Sequence, residues 1–159
     1  MNITVICVGK IKEKFYRDAL SEYEKRLSRY CKLNIIEVPD EKTPENASDR
    51  ENELIKDKEG EAILKHVKEN MFVISLEIAG TSFSSEGFAK KIENLGISGE
   101  SNIAFIIGGS LGLSKKVSKR SNLKLSFSEF TFPHQLMRVI LLEQIYRAFK
   151  IISGEPYHK

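Results

Sequence analysis

The sequence predicts an α/β protein: a mostly parallel sheet with helices on both faces. Three observations carry that expectation. Short apolar runs alternate with amphipathic ones from end to end, as repeated β-α units do. The connections between them are short, and the apolar runs read as strands buried on both sides. At 159 residues the chain is the size of one ordinary domain, so a single core and a single domain over 1–159 are expected.

Residues 2–9 read as a buried strand. Residues 12–30 place Phe15, Ala19, Tyr23, Leu27 and Tyr30 at helical spacing on one apolar face. A second strand, 33–38, is closed by Pro39-Asp40. Residues 37–53 hold seven acids against two bases, with Pro39 and Pro44, and form a polar loop entering a charged helix over 48–67. A third strand, 71–78, is followed by a turn at Ala79-Gly80-Thr81. Ser84 or Ser85 caps a helix that ends near Gly96, with Glu86 in its first turn. The strand 102–107 runs straight into Gly108-Gly109-Ser110-Leu111-Gly112, followed by a short basic helix over 114–119 and a strand over 123–127. Pro133 stands as the first residue of a last helix reaching about Ile152.

That last helix is apolar on more than one side. Met137, Leu141, Ile145, Ala148, Phe149 and Ile152 form one stripe, and Leu136, Val139, Ile140, Tyr146 and Ile151 lie outside it. Either a second subunit covers the extra surface or the protein's own loops do. A homodimer is the expectation.

Composition excludes several classes. Hydrophobic residues are 41% and charged residues 30%, and no run reaches the ~20 apolar residues of a membrane span. The apolar start is too short for an export signal, so a cytoplasmic protein is expected. Cys7 and Cys31 are too few and too far apart for a zinc site or disulfide framework, and no metal is expected. Net charge is +3, but residues 102–159 carry nine Lys/Arg against three Glu, or +6, leaving −3 for residues 1–101. Such asymmetry fits a polyanion docking on the carboxy-terminal part, and equally a solvated basic face.

Three segments can carry chemistry. The first is the glycine turn at 108–112, whose backbone can approach a flat ligand closely. It has no Gly-Lys-Ser/Thr and lacks the dinucleotide spacing, so a nucleoside phosphate is not required there. The second is the stretch 125–134, where hydroxyls, free amides and Phe127, Phe130 and Phe132 can line an adenine pocket. The plainer alternative has Thr131 capping the helix and the phenylalanines in the core. The third is the tail, Gly154 to Lys159, with a phenol, an imidazole and an ammonium beside a basic helix. Chain ends usually fray, which is the plain alternative here. His134 and His66 read as structural and surface residues respectively.

Taken together these segments resemble the RlmH (YbeA) type 23S rRNA pseudouridine N3-methyltransferases, small members of the SPOUT class. The resemblance rests on Ile107-Gly108-Gly109-Ser110-Leu111-Gly112-Leu113, Thr131-Phe132-Pro133-His134-Gln135, Arg138, Glu143-Gln144-Ile145-Tyr146-Arg147-Ala148 and Pro156-Tyr157-His158-Lys159, with Val8-Gly9-Lys10 near the start. It is collinear over essentially the whole chain. Glu129-Phe130 depart from a Lys-Met pair common at that place, which touches side-chain contacts of the loop rather than its backbone.

The resemblance implies a carboxy-terminal trefoil knot, a property that topology rules make rare and that no periodicity reveals. It implies S-adenosyl-L-methionine held by Leu76, Gly108 and the loop Phe127, Ser128, Glu129, Phe130, Thr131 and Phe132. It also implies a homodimer whose site uses both chains, acting on 23S rRNA in the large subunit or the assembled ribosome. Tyr157, His158 and Arg147 would be the catalytic residues, with Arg138 and Lys159 as lesser candidates for offsetting charge or binding phosphate. The rival function is a non-catalytic ribosome- or RNA-binding factor using the same basic face. A third reading, a doubly wound small-molecule enzyme, lacks the phosphate fingerprint.

Overall fold

The computed structural model describes residues 1–159. Its elements in chain order are β1 (Asn2–Val8), α1 (Lys14–Leu27), β2 (Lys32–Val38), α2 (Asp49–Leu64), β3 (Phe72–Ser82), α3 (Ser85–Ile97), β4 (Asn102–Ile107), α4 (Lys115–Arg120), β5 (Leu123–Ser126) and α5 (His134–Ile152). The five strands form one sheet, ordered β2-β1-β4-β3-β5, and every pairing is parallel.

Alternation along the central strands divides the core in two. Ile3, Val5 and Cys7 of β1, with Ile103, Phe105 and Ile107 of β4, pack among buried residues of α1, α3 and α5. Ile6 and Val8, with Ala104 and Ile106, meet Ile63 of α2 and Val117 of α4 on the opposite face. Burial on both sides is why these strands read as nearly continuous apolar runs. No helix is long and apolar enough to cross a membrane.

Local chemistry sets the helix starts. Ser48, Ser84 and Ser114 each accept a hydrogen bond from the backbone amide three residues on, contributing about 1 kcal/mol apiece. Between the two capping candidates of α3, the structure selects Ser84. Thr131 does not cap α5. Pro133 occupies the N-cap position, one residue outside the helix, and no side chain caps it there.

Three other expectations are corrected. Phe15 is 65% exposed, and α1 buries Leu20 beside the expected Leu27, because a 3.6-residue period drifts away from a strict spacing of four. Ala79-Gly80-Thr81 does not end β3. The chain bulges out after Leu76 and rejoins β5 at Thr81, so that Leu125 faces both residues. A Cβ on Gly80 would lie 2.6 Å from the Lys124 carbonyl oxygen, so only glycine permits this approach. Lastly, α5 is more covered by its own chain than expected. Tyr146, assigned outside the stripe, is buried among Tyr23, Tyr30 and Tyr157, while Leu136, Val139, Ile140 and Ile151 are half-buried.

Candidate functional site

The carboxyl ends of β3, β4 and β5 open into a cavity of about 310 Å³. In parallel sheets ligands bind at this edge, because the loops there leave backbone groups free. Gly108 to Leu113 form one wall, and Phe127, Ser128, Phe130, Thr131 and Phe132 form another. Leu76 and Leu125 contribute from the strands, and His134 and Met137 from the first turn of α5.

The glycine wall is folded back on itself. A Cβ on Gly108 would lie 2.9 Å from the carbonyl carbon and oxygen of Gly112, so a larger residue would force the turn open. Gly112 itself has φ of +88°, and its amide donates to the Gly109 carbonyl at 3.1 Å. On the facing wall the Phe130 amide donates to Ser128 Oγ at 3.0 Å. These loops present main-chain polar groups beside apolar side chains, a suitable lining for a flat, partly polar ligand.

Of the eight residues expected to hold a cofactor, seven line this cavity: Leu76, Gly108, Phe127, Ser128, Phe130, Thr131 and Phe132. Glu129 does not, and is an exposed residue of the loop. Phe130 lines the mouth yet is 79% exposed, so it is not the core residue of the plainer alternative. His134, within the 125–134 stretch but read as structural, lines the cavity, and so does Met137, which lies outside that stretch. The signal available for them was their place one turn after Pro133, where the loop meets α5. Ile78 lines the cavity only because β3 bulges, and nothing local in the sequence announces that.

The tail is ordered against α5. Arg147 donates to Glu143 Oε1 from Nε at 3.0 Å and from Nη2 at 2.6 Å. Its guanidinium lies over the Tyr157 ring, 4.7 Å from the centroid, and Nη1 stands 3.1 Å from His158 Nδ1. The Tyr157 hydroxyl donates to Glu143 Oε1 at 3.1 Å, and His158 Nε2 stands 2.8 Å from Glu86 Oε1. Burial, followed by the Glu143 carboxylate, pushes the Tyr157 phenol up to about 12. At neutral pH it is a proton donor in hydrogen bonds and not a base. The His158 contact holds the Glu86 carboxyl below its ordinary range, and Glu143 raises the Arg147 guanidinium further. Glu143 thus organises the cluster.

Arg138 cannot serve as a phosphate contact. It is 2% exposed, donating to Glu37 at 2.6 Å and to the Gly9 carbonyl at 3.2 Å, and so ties α5 to the ends of β1 and β2. Lys159 is exposed at the chain end. The two cysteines are structural: burial pushes Cys7 up to about 12 and Cys31 to about 11, so neither thiolate forms near neutrality.

Tyr157, His158 and Arg147 therefore come together, as do the cavity residues, but the two groups do not meet. Met137 and Arg147 are ten residues apart on α5, which is about 15 Å along a helix axis.

A parallel sheet with a glycine-walled cavity at its carboxyl edge and a hydrogen-bonded tail defines an α/β protein with an open ligand-sized site. Its class is settled by relatives. The chain belongs to the SPOUT methyltransferase family, whose model, described as "Predicted SPOUT methyltransferase", matches residues 1–158. Proteins called ribosomal RNA large subunit methyltransferase H are similar to it over the full length of both chains. Those of Clostridium beijerinckii, Clostridium novyi strain NT and Clostridium kluyveri are 65%, 67% and 62% identical over 159 residues. Among solved structures, a probable methylase family protein from Haemophilus influenzae Rd KW20 shares the fold, with a TM-score of 0.56 at 12% identity over 99% of this chain and 70% of that one.

Proposed function

We propose that this protein transfers a methyl group from S-adenosyl-L-methionine to N3 of a pseudouridine in 23S rRNA of the large ribosomal subunit. In this reading it works in the cytoplasm as a homodimer, and each site combines one chain's cavity with the partner's tail. The observation that carries it is the separation, along α5, of a cofactor-sized cavity from the cluster of Arg147, Tyr157 and His158. A site shared between two chains would bring the two together.

The cavity residues fit the cofactor. Apolar side chains such as Leu76, Phe127 and Met137 suit an adenine, and the free main-chain groups of 108–112 and 127–132 suit its polar edges. Bound there, S-adenosyl-L-methionine supplies an already activated methyl. The protein's own task is to align the base and manage one proton. N3 of pseudouridine is an imide nitrogen between two carbonyls, and it becomes nucleophilic as its proton leaves. Arg147 offsets the developing negative charge, and Tyr157, its proton held by Glu143, helps to position the base while staying protonated. His158, oriented by Arg147 and Glu86, is placed to relay the N3 proton to solvent. S-adenosyl-L-methionine, held by the cavity residues, would supply the methyl, and the chain's own residues would have only the N3 proton to remove.

The similarity to ribosomal RNA large subunit methyltransferases supports the substrate class, and the basic carboxy-terminal region supports docking on RNA. The trefoil threading belongs to the same proposal, supported by the family membership. Truncation after Gly154 tests the tail's part. Calorimetry should show S-adenosyl-L-methionine binding unchanged, while methylation of ribosomal subunits falls by about two orders of magnitude or more, the scale of lost acid–base assistance. Full activity in the truncated protein removes the tail from the mechanism. No binding heat in the intact protein points instead to a non-catalytic binder.

A further inference from the structure

Glu59 is the one acidic residue of the chain that is fully buried, with 4% of its surface exposed. It lies on α2, outside the cavity and the tail cluster, and the proposed mechanism gives it no role. One carboxylate oxygen, Oε2, accepts the Glu41 amide at 3.0 Å, while Oε1 has no hydrogen-bond partner. An unpartnered polar atom in the interior is costly and calls for a reason.

The reason lies in what α2 presses against. A Cβ on Gly109 would stand 3.3 and 3.4 Å from the two Glu59 oxygens and 3.2 Å from Val8. The glycine wall of the cavity therefore rests directly on this carboxyl. The next residue repeats the contact at the wall's other end, for a Cβ on Gly60 would overlap the Ser114 hydroxyl. Helix α2 thus holds the 108–114 loop at two points, one of them ionisable.

We propose that Glu59 is a positioning residue for the glycine wall, and that its proton couples to binding in the cavity. This rests on the cofactor reading given above. Protonated, the carboxyl can stay buried beneath Gly109. Ionised, it carries a charge with an unsatisfied oxygen into a site where only the Glu41 amide compensates it, and the side chain is driven toward water, away from the loop.

The surrounding charges favour the same outcome. Asp40 and Glu41, in the segment after β2, are both acidic, and Lys58 of α2 is engaged with Glu41 at 3.5 Å. From α5, Arg138 is spent on Glu37 and the Gly9 carbonyl, and His134 stands against Gly9, as Asp40 does. Val8 and Gly109 bring no charge, and Ser114 at the start of α4 brings only a hydroxyl. Burial first, then a hydrogen bond that the protonated form shares with the Asp40 side chain and the charges of Asp40 and Glu41, push Glu59 up to about 7, against the pull of the Glu41 amide.

The test uses the full-length protein. Calorimetric affinity for S-adenosyl-L-methionine is measured from about pH 6 to about pH 8.5, alongside hydrogen exchange of amides 108–112 in the ligand-free protein. The wild type should bind at least about fivefold more weakly at the alkaline end, the lower edge of common coupling strengths, with the loop exchanging faster than base catalysis alone requires. Glu59→Gln, which keeps the shape and cannot ionise, should bind with a flat profile and serve as the exchange reference. A flat wild-type affinity, or a Gln variant that follows the wild-type profile, overturns the proposal. Should the intact protein show no binding at any pH, the cofactor reading fails. Loop exchange then still decides the coupling, which stands only if the wild type departs from the Gln reference. Should Glu59→Gln not fold, wild-type affinity and loop exchange corrected for intrinsic rates decide: both flat across the range overturns the idea.

Discussion

Arg138 carries a charge that the fold keeps almost wholly out of water, at 2% exposure, while its partner Glu37 remains 36% exposed. That asymmetry sets the cost of breaking the pair. Removing the arginine leaves Glu37 free to take up water, so Arg138→Met should cost less than severing a fully buried pair. The lower end of the usual range, about 3 kcal/mol, is expected in urea denaturation. Cofactor affinity of the folded fraction should not change. A loss under about 1 kcal/mol would mean that the Gly9 and Glu37 contacts contribute little. Glu59 belongs to the same scale. Its folded value lies above the ordinary carboxyl range, so its stabilising contribution is complete below that range. The contribution is lost as pH rises through about 7.

Among the elements, the junction of β3 with β5 is the most demanding. The bulge between Leu76 and Thr81 moves Ile78 to the cavity and requires Gly80 to touch the backbone of Lys124. Backbone cannot yield as a flexible side chain can. Gly80→Ala should therefore destabilise by about 1–3 kcal/mol, the usual cost of overpacking, and weaken cofactor binding as β5 shifts. An alanine variant with unchanged melting and binding would show that the two strands can separate freely. Glu77, within the bulge, accepts hydrogen bonds from Ser75 Oγ at 2.6 Å and from Ser118 Oγ at 3.0 and 3.1 Å, which anchors the bulge to α4.

For the whole molecule, the distance between cavity and tail is the decisive quantity. If each site takes its cavity from one chain and its tail from the other, two differently inactivated chains should complement each other. Gly108→Ala forces the glycine wall out of shape, and truncation after Gly154 removes the tail. Each alone should be inactive. Co-refolded in equal amounts, half the dimers are mixed and each mixed dimer has one intact site, so about one quarter of wild-type methylation should return. Absence of any recovery, with mixed dimers demonstrated by mass, excludes the shared site.

The sequence by itself determined the α/β class, the order of elements and the glycine wall. It could do so because burial on both faces imposes nearly continuous apolar strands, and because serine caps and glycines act within a few residues of where they stand. Ser48, Ser84 and Ser114 are such local signals, and so is the run from Gly108 to Gly112. What only the tertiary structure decided depends on groups far apart in the chain. Arg138 meets Glu37 across 101 positions, His158 meets Glu86 across 72, and Glu59 touches Gly109 because α2 lies beneath the loop. The charge of such a residue is visible in the sequence, but its partner is not. Whether an arginine is free to meet a phosphate or is committed to a buried carboxylate is settled by packing.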